Sequence, residues 1–248
     1  MRHSLRINYD DLADSYEKHR SGSEALVKEL ADLASLTSGA RALDIGCGTG
    51  TTSVAFQAIT GAEVWAIDKS AEMLSHAQRK SDKVTFVRAD AHCLPFRAGT
   101  FDFAYAVLVV HHLEDVPAFF DELYRVMRAG TVAIVTCSHD WIRRHPLNRF
   151  FPSFAAVDLR RFPAISSVTH WLHDAGFVKL EDRAFSTEPY VADAAYVKRV
   201  AEKWISTLQL IPESEFQKGL KRLRETVNGA TERSFEVYWE GVIVSALK

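Results

Sequence analysis

The chain reads as an α/β protein built on a doubly wound, mostly parallel sheet of seven strands, with a helical lid before it and a helical cap inserted near its end. Three observations predict this. A short apolar run at Ala42, Leu43 and Ile45 breaks into Gly46-Cys47-Gly48-Thr49-Gly50, the pattern of a buried strand ending in a glycine loop. Thr51 to Gln57 follows as a helix start, with hydroxyls placed to cap its first free N–H groups. Further apolar runs recur at 62–68, 84–90, 101–113 and 132–138, separated by helical patterns, which is the alternation of a parallel sheet.

Ahead of the first strand, Leu12, Tyr16, Ala25, Leu26, Leu30, Leu33 and Ala34 repeat at three- and four-residue steps over 9–38. Ser21-Gly22-Ser23 divides that stretch into two helices, and Ser23 is placed to cap the second. The second strand, 62–68, ends on Asp68, about 20 residues beyond the glycine loop, where an acid can accept both ribose hydroxyls or merely cap the next helix, 70–80. Lys69 adjoins Asp68, and Met73 falls in the first turn of that helix, where a flexible thioether can lie against a base. The third strand ends at Asp90-Ala91, and the fourth runs through Ala106 and Val107 into His111-His112. A helix at 115–127 presents Val116, Phe119, Phe120, Leu123 and Val126 on one face and leads to the fifth strand, 132–138. The aromatic and basic stretch 139–163, with Trp141, Arg143, Arg144 and His145, is expected over an acceptor pocket, or as packing with a solvated basic edge. A helix at 166–175, a sixth strand at 177–186, helices within 189–228 broken at Ile211-Pro212-Glu213 and a seventh strand at 234–247 complete the chain; Ser214 is the expected cap after the break. The expected organisation is one domain over 1–248: a lid at 1–38, a core at 39–186 and 234–248, and a cap insertion at 187–233.

The loop argues about its ligand. Counting from Gly46, the third glycine of a dinucleotide fingerprint falls on Thr51. Asp44 is expected at the loop mouth, where it would repel a pyrophosphate and favour an ammonium or sulfonium group. Asp-x-Gly-x-Gly-x-Gly over 44–50 thus points away from NAD and toward S-adenosylmethionine. The segment resembles the glycine motif of class I S-adenosylmethionine-dependent methyltransferases, in particular the small-molecule group similar to ubiquinone/menaquinone methyltransferases, and the resemblance covers 9–175.

That resemblance implies a Rossmann-like fold and a set of cofactor contacts. The glycine loop, Asp44 and Cys47 included, would line the cofactor, with Asp68 and Lys69 at the ribose, Met73 at the adenine face and Asp90 on the adenine amino group. The Ala91 N–H would donate to a ring nitrogen, Leu94-Pro95-Phe96 would seal the ring edge, and the carbonyls of Ala106 and Val107 would take the amino group. In the family's N-terminal lid a tyrosine and an arginine one turn apart approach the methionyl end, which here picks out Tyr16 and Arg20; the alternative is a surface helix with one packing tyrosine. His111 and His112 are expected as general base or acceptor-steering groups, or as caps of the following loop. Arg128-Ala129-Gly130-Thr131 departs from the family's proline and paired glycines and is expected as a structural loop.

Composition narrows the partners. A net charge of −2 gives no electrostatic reason to bind a nucleic-acid backbone. Cys47, Cys93 and Cys137 lack any paired spacing, so free thiols in a reducing compartment are expected and a metal site is not. No signal-like start and no run of ~18 apolar residues is present, so a soluble, cytoplasmic monomer or homodimer acting on a small-molecule acceptor is expected. Two competing readings remain: an NAD-dependent oxidoreductase, opposed by Thr51 and Asp44, and a non-catalytic cofactor-binding member of the fold.

Overall fold

The structure, a computed structural model, describes residues 10, 13, 17–18, 23–37, 39–229 and 235–248. Helix α1 (Glu24–Ala34) precedes β1 (Arg41–Ile45), α2 (Thr51–Thr60), β2 (Glu63–Asp68), α3 (Ala71–Gln78), β3 (Val84–Arg88) and β4 (Phe101–Val107). Then come α4 (Val116–Val126), β5 (Met127–Thr136), α5 (His139–Arg144), α6 (Phe154–Arg161), α7 (Ile165–Asp174) and β6 (Val178–Ser186). The chain closes with β7 (Tyr190–Val191), α8 (Ala194–Ala201), α9 (Glu213–Asn228), β8 (Glu236–Val237) and β9 (Glu240–Leu247).

Seven of these strands form one sheet in the order β3-β2-β1-β4-β5-β9-β6. β1, β2, β3, β4 and β5 run parallel to their neighbours, and β9 joins β5 antiparallel. Strand order reverses beside β1, where an open α/β sheet leaves a crevice beyond the carboxyl ends of its strands. The central strands are apolar because helices cover both faces: Ala42, Leu43 and Ile45, with Phe101 and Phe103 to Ala106, are all 0% exposed. α4 lays Phe119, Phe120, Leu123 and Val126 on this core, and the Asp115 carboxylate caps it by accepting from the Ala118 N–H at 3.1 Å. Ser23 caps α1 as expected, accepting from Leu26 at 3.3 Å.

Three local expectations are corrected. Residues 128–131 are strand, within β5, rather than loop. A Cβ at Gly130 would stand 2.0 Å from the Asp102 carbonyl, so only glycine permits this pairing, and the β4/β5 register shifts beside it. The segment read as a seventh strand divides at Tyr238-Trp239: β8 pairs with β7 in a separate ribbon, and β9 alone enters the sheet. After the proline break, α9 starts at Glu213 with Pro212 as its N-cap, so Ser214 lies inside the helix.

The described chain divides into two compact units. One runs through Thr136 and adds Pro163–Phe185 and Val242–Lys248; the other holds Cys137–Phe162 and Ser186–Gly241. The aromatic stretch after β5 therefore groups with the inserted helices. Its rings build a core of their own, with Phe150, Phe151, Phe154, Phe216, Leu220 and Phe235 buried together. Inside this unit the Arg161 guanidinium and Asp158 pair at 3.1 Å, 5% and 9% exposed, and Thr207 donates to the same carboxylate. Among the described residues, no helix is long and apolar enough to cross a membrane and no metal-binding group is found.

Candidate functional site

The glycine loop follows β1 and is pinned to β2. The Gly46 and Cys47 N–H groups both donate to the Ile67 carbonyl, at 2.8 and 2.9 Å. Its backbone is left-handed at Gly46 (φ 72°) and Gly50 (φ 75°), and neither position has room for a side chain. A Cβ at Gly46 would meet Val109 Cγ2 at 2.4 Å; one at Gly50 would meet the Ala77 Cβ and the Phe86 ring at 2.8 Å. The two glycines let the loop pack closely against β3, α3 and the exit of β4.

Asp68 ends β2 and faces this loop. One carboxylate oxygen accepts from the Gly48 N–H and the other from the Ser70 N–H, both at 2.9 Å. Burial pushes its pKa above the usual carboxylate range, against those hydrogen bonds. The N–H of Ala89 donates to its backbone carbonyl at 3.1 Å, setting the start of the next loop. There Asp90 is 61% exposed, and its Oδ1 accepts from the His92 N–H at 2.9 Å and the His92 ring at 2.6 Å. The Asp115 N–H reaches the other ring nitrogen at 3.4 Å, which places the ring proton on Nδ1. The His92 N–H first, then its ring, holds Asp90 below the usual range despite burial, so the carboxylate is ionised with Oδ2 free to accept.

Behind this loop α4 supplies a clamp. Glu122 accepts from the Leu94 N–H at 2.8 Å, while Arg125 donates to the Phe96 carbonyl at 2.7 Å and the Leu94 carbonyl at 3.0 Å. Leu94, 4% exposed, and Phe96, edge-on to Trp65, are thereby fixed at the crevice rim. On the other side, β4 ends in Ala106 and Val107, and Leu108 turns left-handed (φ 57°), a strained conformation for a γ-branched side chain. A single 3₁₀ turn then carries His111 and His112, half-buried, with ring centroids 3.9 Å apart.

Several expected contacts take a different form. Asp44 does not sit at the loop mouth: it is 1% exposed beneath the loop, where its carboxylate accepts from the Ser53 hydroxyl at 2.6 Å. Burial raises its pKa to about 7, so it is a weak source of negative charge at neutral pH. Ser53 and Thr51 are turned away from capping α2, because Ser53 serves Asp44 and Thr51 serves Lys80; Gly50 is the N-cap. Met73 is 1% exposed in the α3 core, so its thioether offers no open surface to a base; its N–H is capped by Ser70. Cys47 is partly buried, with its thiol pKa pushed up by burial, and Lys69 is exposed beside Asp68. Tyr16 and Arg20 lie outside the described residues. In the second unit, Arg144 pairs with Glu240 at 2.9 Å and Arg143 with Asp140 at 3.5 Å, while burial drops His145 to about 4. That stretch is less cationic than its composition implies.

Lys80, Glu17, Asp10 and the Glu122–Arg125 clamp went unread in the sequence. Lys80 donates to Glu17 at 2.7 Å, Thr51 at 2.6 Å and Thr49 at 3.2 Å; Ser70 donates to Asp10 at 2.5 Å. Their partners lie 28 to 63 residues away, beyond any periodicity or spacing rule.

The donor set matches an adenosyl ligand. Two carboxylates stand at the ends of adjacent strands, suited to a ribose diol and an exocyclic amine. The three N–H groups of the nearby Lys80 ammonium are already taken by three acceptors, which leaves it none for a pyrophosphate.

Comparison with known proteins agrees. Residues 43–135 match the family described as "Methyltransferase domain". A malonyl-[acyl-carrier protein] O-methyltransferase of Erwinia billingiae is 34% identical over 56% of this chain and 60% of its own length. That of Salmonella typhimurium is 31% identical over 66% of this chain and 71% of its own. The chain thus spans less than two thirds of the Erwinia relative. In fold, it superposes on an Anabaena variabilis protein assigned to the methyltransferases of an antibiotic biosynthesis pathway, with TM-score 0.73 at 24% identity over 92% of this chain and 98% of that one. A phosphoethanolamine N-methyltransferase of Haemonchus contortus, solved with S-adenosylhomocysteine, gives 0.60 at 16% identity over 98% of this chain and 60% of that one. With the family match and relatives of this identity and extent together, the chain belongs to the class I S-adenosylmethionine-dependent methyltransferases.

Proposed function

We propose that this protein transfers a methyl group from S-adenosylmethionine to a small-molecule acceptor by in-line displacement. The observation that carries the reading is the pair Asp68 and Asp90 flanking a glycine loop in which Gly46 and Gly50 have no room for a side chain. When bound, the cofactor supplies an electrophilic methyl group on a sulfonium, whose departure leaves a neutral thioether. The protein's own task is then positioning. Asp68 takes the ribose, Asp90 Oδ2 and the Ala91 N–H the base, and the Ala106 and Val107 carbonyls the amino group, with Gly46, Gly48 and Gly50 admitting close approach. His111 and His112, at the exit of β4, hold the acceptor's proton or steer it by a hydrogen bond. Tyr16 and Arg20 close on the methionyl end, and Cys47, Lys69 and Met73 support the surrounding loops.

The relatives' names span O-methylation of a carrier-bound malonyl group, sterol 24-C-methylation and phosphoethanolamine N-methylation, so the shared core serves several acceptor atoms. Acceptor identity therefore resides outside that core. On this reading the protein is a cytoplasmic monomer or homodimer, and a net charge of −2 gives it no general attraction for a nucleic-acid backbone. Incubation with methyl-labelled S-adenosylmethionine and a fractionated metabolite extract tests the reading. Label is expected in a small-molecule fraction, dependent on Asp68. No transfer from any fraction under conditions where the cofactor binds would favour a non-catalytic binder.

A further inference from the structure

Behind the glycine loop, the Lys80 ammonium lies at a junction of three segments. It is 23% exposed, and Glu17, its carboxylate partner at 2.7 Å, is 32% exposed. Its other acceptors are the hydroxyls of Thr49, inside the loop and 2% exposed, and Thr51, the first residue of α2. An ammonium has three N–H donors, and here each meets one acceptor. Against the upward push of burial, hydrogen bonds from Lys80 and Thr49 hold Glu17 below the usual carboxylate range. A second tie lies on the same side: Asp10 accepts from the Ser70 hydroxyl, which also caps α3 directly after Asp68. Ala13, between the two ties, is 3% exposed. Asp10 and Glu17 are thus each bonded to a group beside the glycine loop or Asp68.

We infer that Lys80 is a positioning residue that couples the chain around Glu17 to the glycine loop, so that cofactor binding and docking of the N-terminal stretch reinforce each other. The inference rests on reading the crevice as an S-adenosylmethionine site. Linkage makes the coupling reciprocal: whatever the docked stretch adds to ligand affinity, the ligand returns as protection of that stretch. Without Lys80, Thr49 and Thr51 lose their shared donor and Glu17 loses its charged partner. The loop then relaxes independently of the N-terminal stretch.

Two readouts test this on the full chain. Calorimetry with S-adenosylhomocysteine gives the affinity, and limited trypsin digestion read by mass spectrometry gives the rate of cleavage after Lys18, with and without that ligand. For the wild type, ligand is expected to slow cleavage. Lys80→Met removes all three hydrogen bonds of the ammonium and is expected to weaken binding about tenfold, and to abolish the ligand's effect on cleavage. Glu17→Gln, a mild change at a half-exposed position, is expected to abolish the protection with a smaller loss of affinity. Wild-type affinity and protection in both variants would overturn the coupling while leaving the cofactor reading intact. Weakened binding with protection intact would overturn it as well, since Lys80 would then act on the loop alone. A wild type that fails to bind S-adenosylhomocysteine would overturn the cofactor reading, and this inference with it.

Discussion

Asp68→Asn separates the ligand role of this residue from its structural one. The wild-type carboxylate uses one oxygen for Gly48 and one for Ser70, each at 2.9 Å, and an amide can replace only one of these acceptors. One loop N–H therefore loses its partner, a cost of about 1–2 kcal/mol. In the opposite direction, burial raises the wild-type pKa, so the neutral amide is relieved of part of the carboxylate's desolvation cost. The two effects oppose each other, and the loss of stability read from urea unfolding is expected to stay below about 1–2 kcal/mol. Affinity does not share that offset. Charged hydrogen bonds to the ribose diol are worth about 1.5–3 kcal/mol, so the Kd for S-adenosylhomocysteine should rise roughly 10- to 150-fold. Calorimetry and urea melts on one preparation measure both quantities. An unchanged Kd would refute the ribose assignment; a lost affinity matched by an equal loss of stability would show Asp68 to be structural only.

Three further outcomes follow from the same geometry. Asp44 has a folded-state pKa of about 7 against an ordinary value near 3.8, so between about pH 4 and 7 the folded chain holds one proton more than the unfolded chain. Stability should fall as pH rises through that window, by up to about 4 kcal/mol from this group, and Asp44→Asn should flatten the slope in urea melts; an unchanged slope would contradict the buried, raised carboxylate. Gly50→Ala drives a Cβ to 2.8 Å from Ala77 and Phe86 at φ 75°, and unfolding midpoints should register a loss of about 2 kcal/mol or more. Substituting His111 and His112 by alanine, one at a time, should lower kcat by about 100-fold at one of them if that ring moves the acceptor's proton. Unchanged turnover in both variants would reject the base role.

The sheet and its crevice were legible because short-range patterns encode them. Apolar runs marked the five parallel strands, of which β1 and β4 are buried on both faces and β3 is the half-buried edge, and the spacing from the glycine loop picked out Asp68 as the acid at the end of β2. Asp44 was misplaced for a local reason. Sequence puts an acid next to a glycine loop but does not reveal that it points down onto Ser53, nine residues later on α2. Residues 128–131 read as loop because they stand where the resembled family has a proline and paired glycines, whereas Gly130 sits in β5 so that the Asp102 carbonyl can pass close by. The split after β8 depends on Thr187, whose backbone and hydroxyl bond Trp239 across 52 residues. Lys80, Arg125 and Glu122 stayed hidden on the same ground: a lysine at a helix end and an i, i+3 ion pair are ordinary surface features until distant partners converge on them.

The central claim is that the first βα turn holds a phosphate-free adenosyl group rather than a dinucleotide. Parallel calorimetric titrations with S-adenosylhomocysteine and NAD test it most directly. Saturable binding of S-adenosylhomocysteine at one equivalent, lost on Asp68→Asn, with no heat from NAD, is the predicted result. Saturable binding of NAD with none of S-adenosylhomocysteine would contradict it.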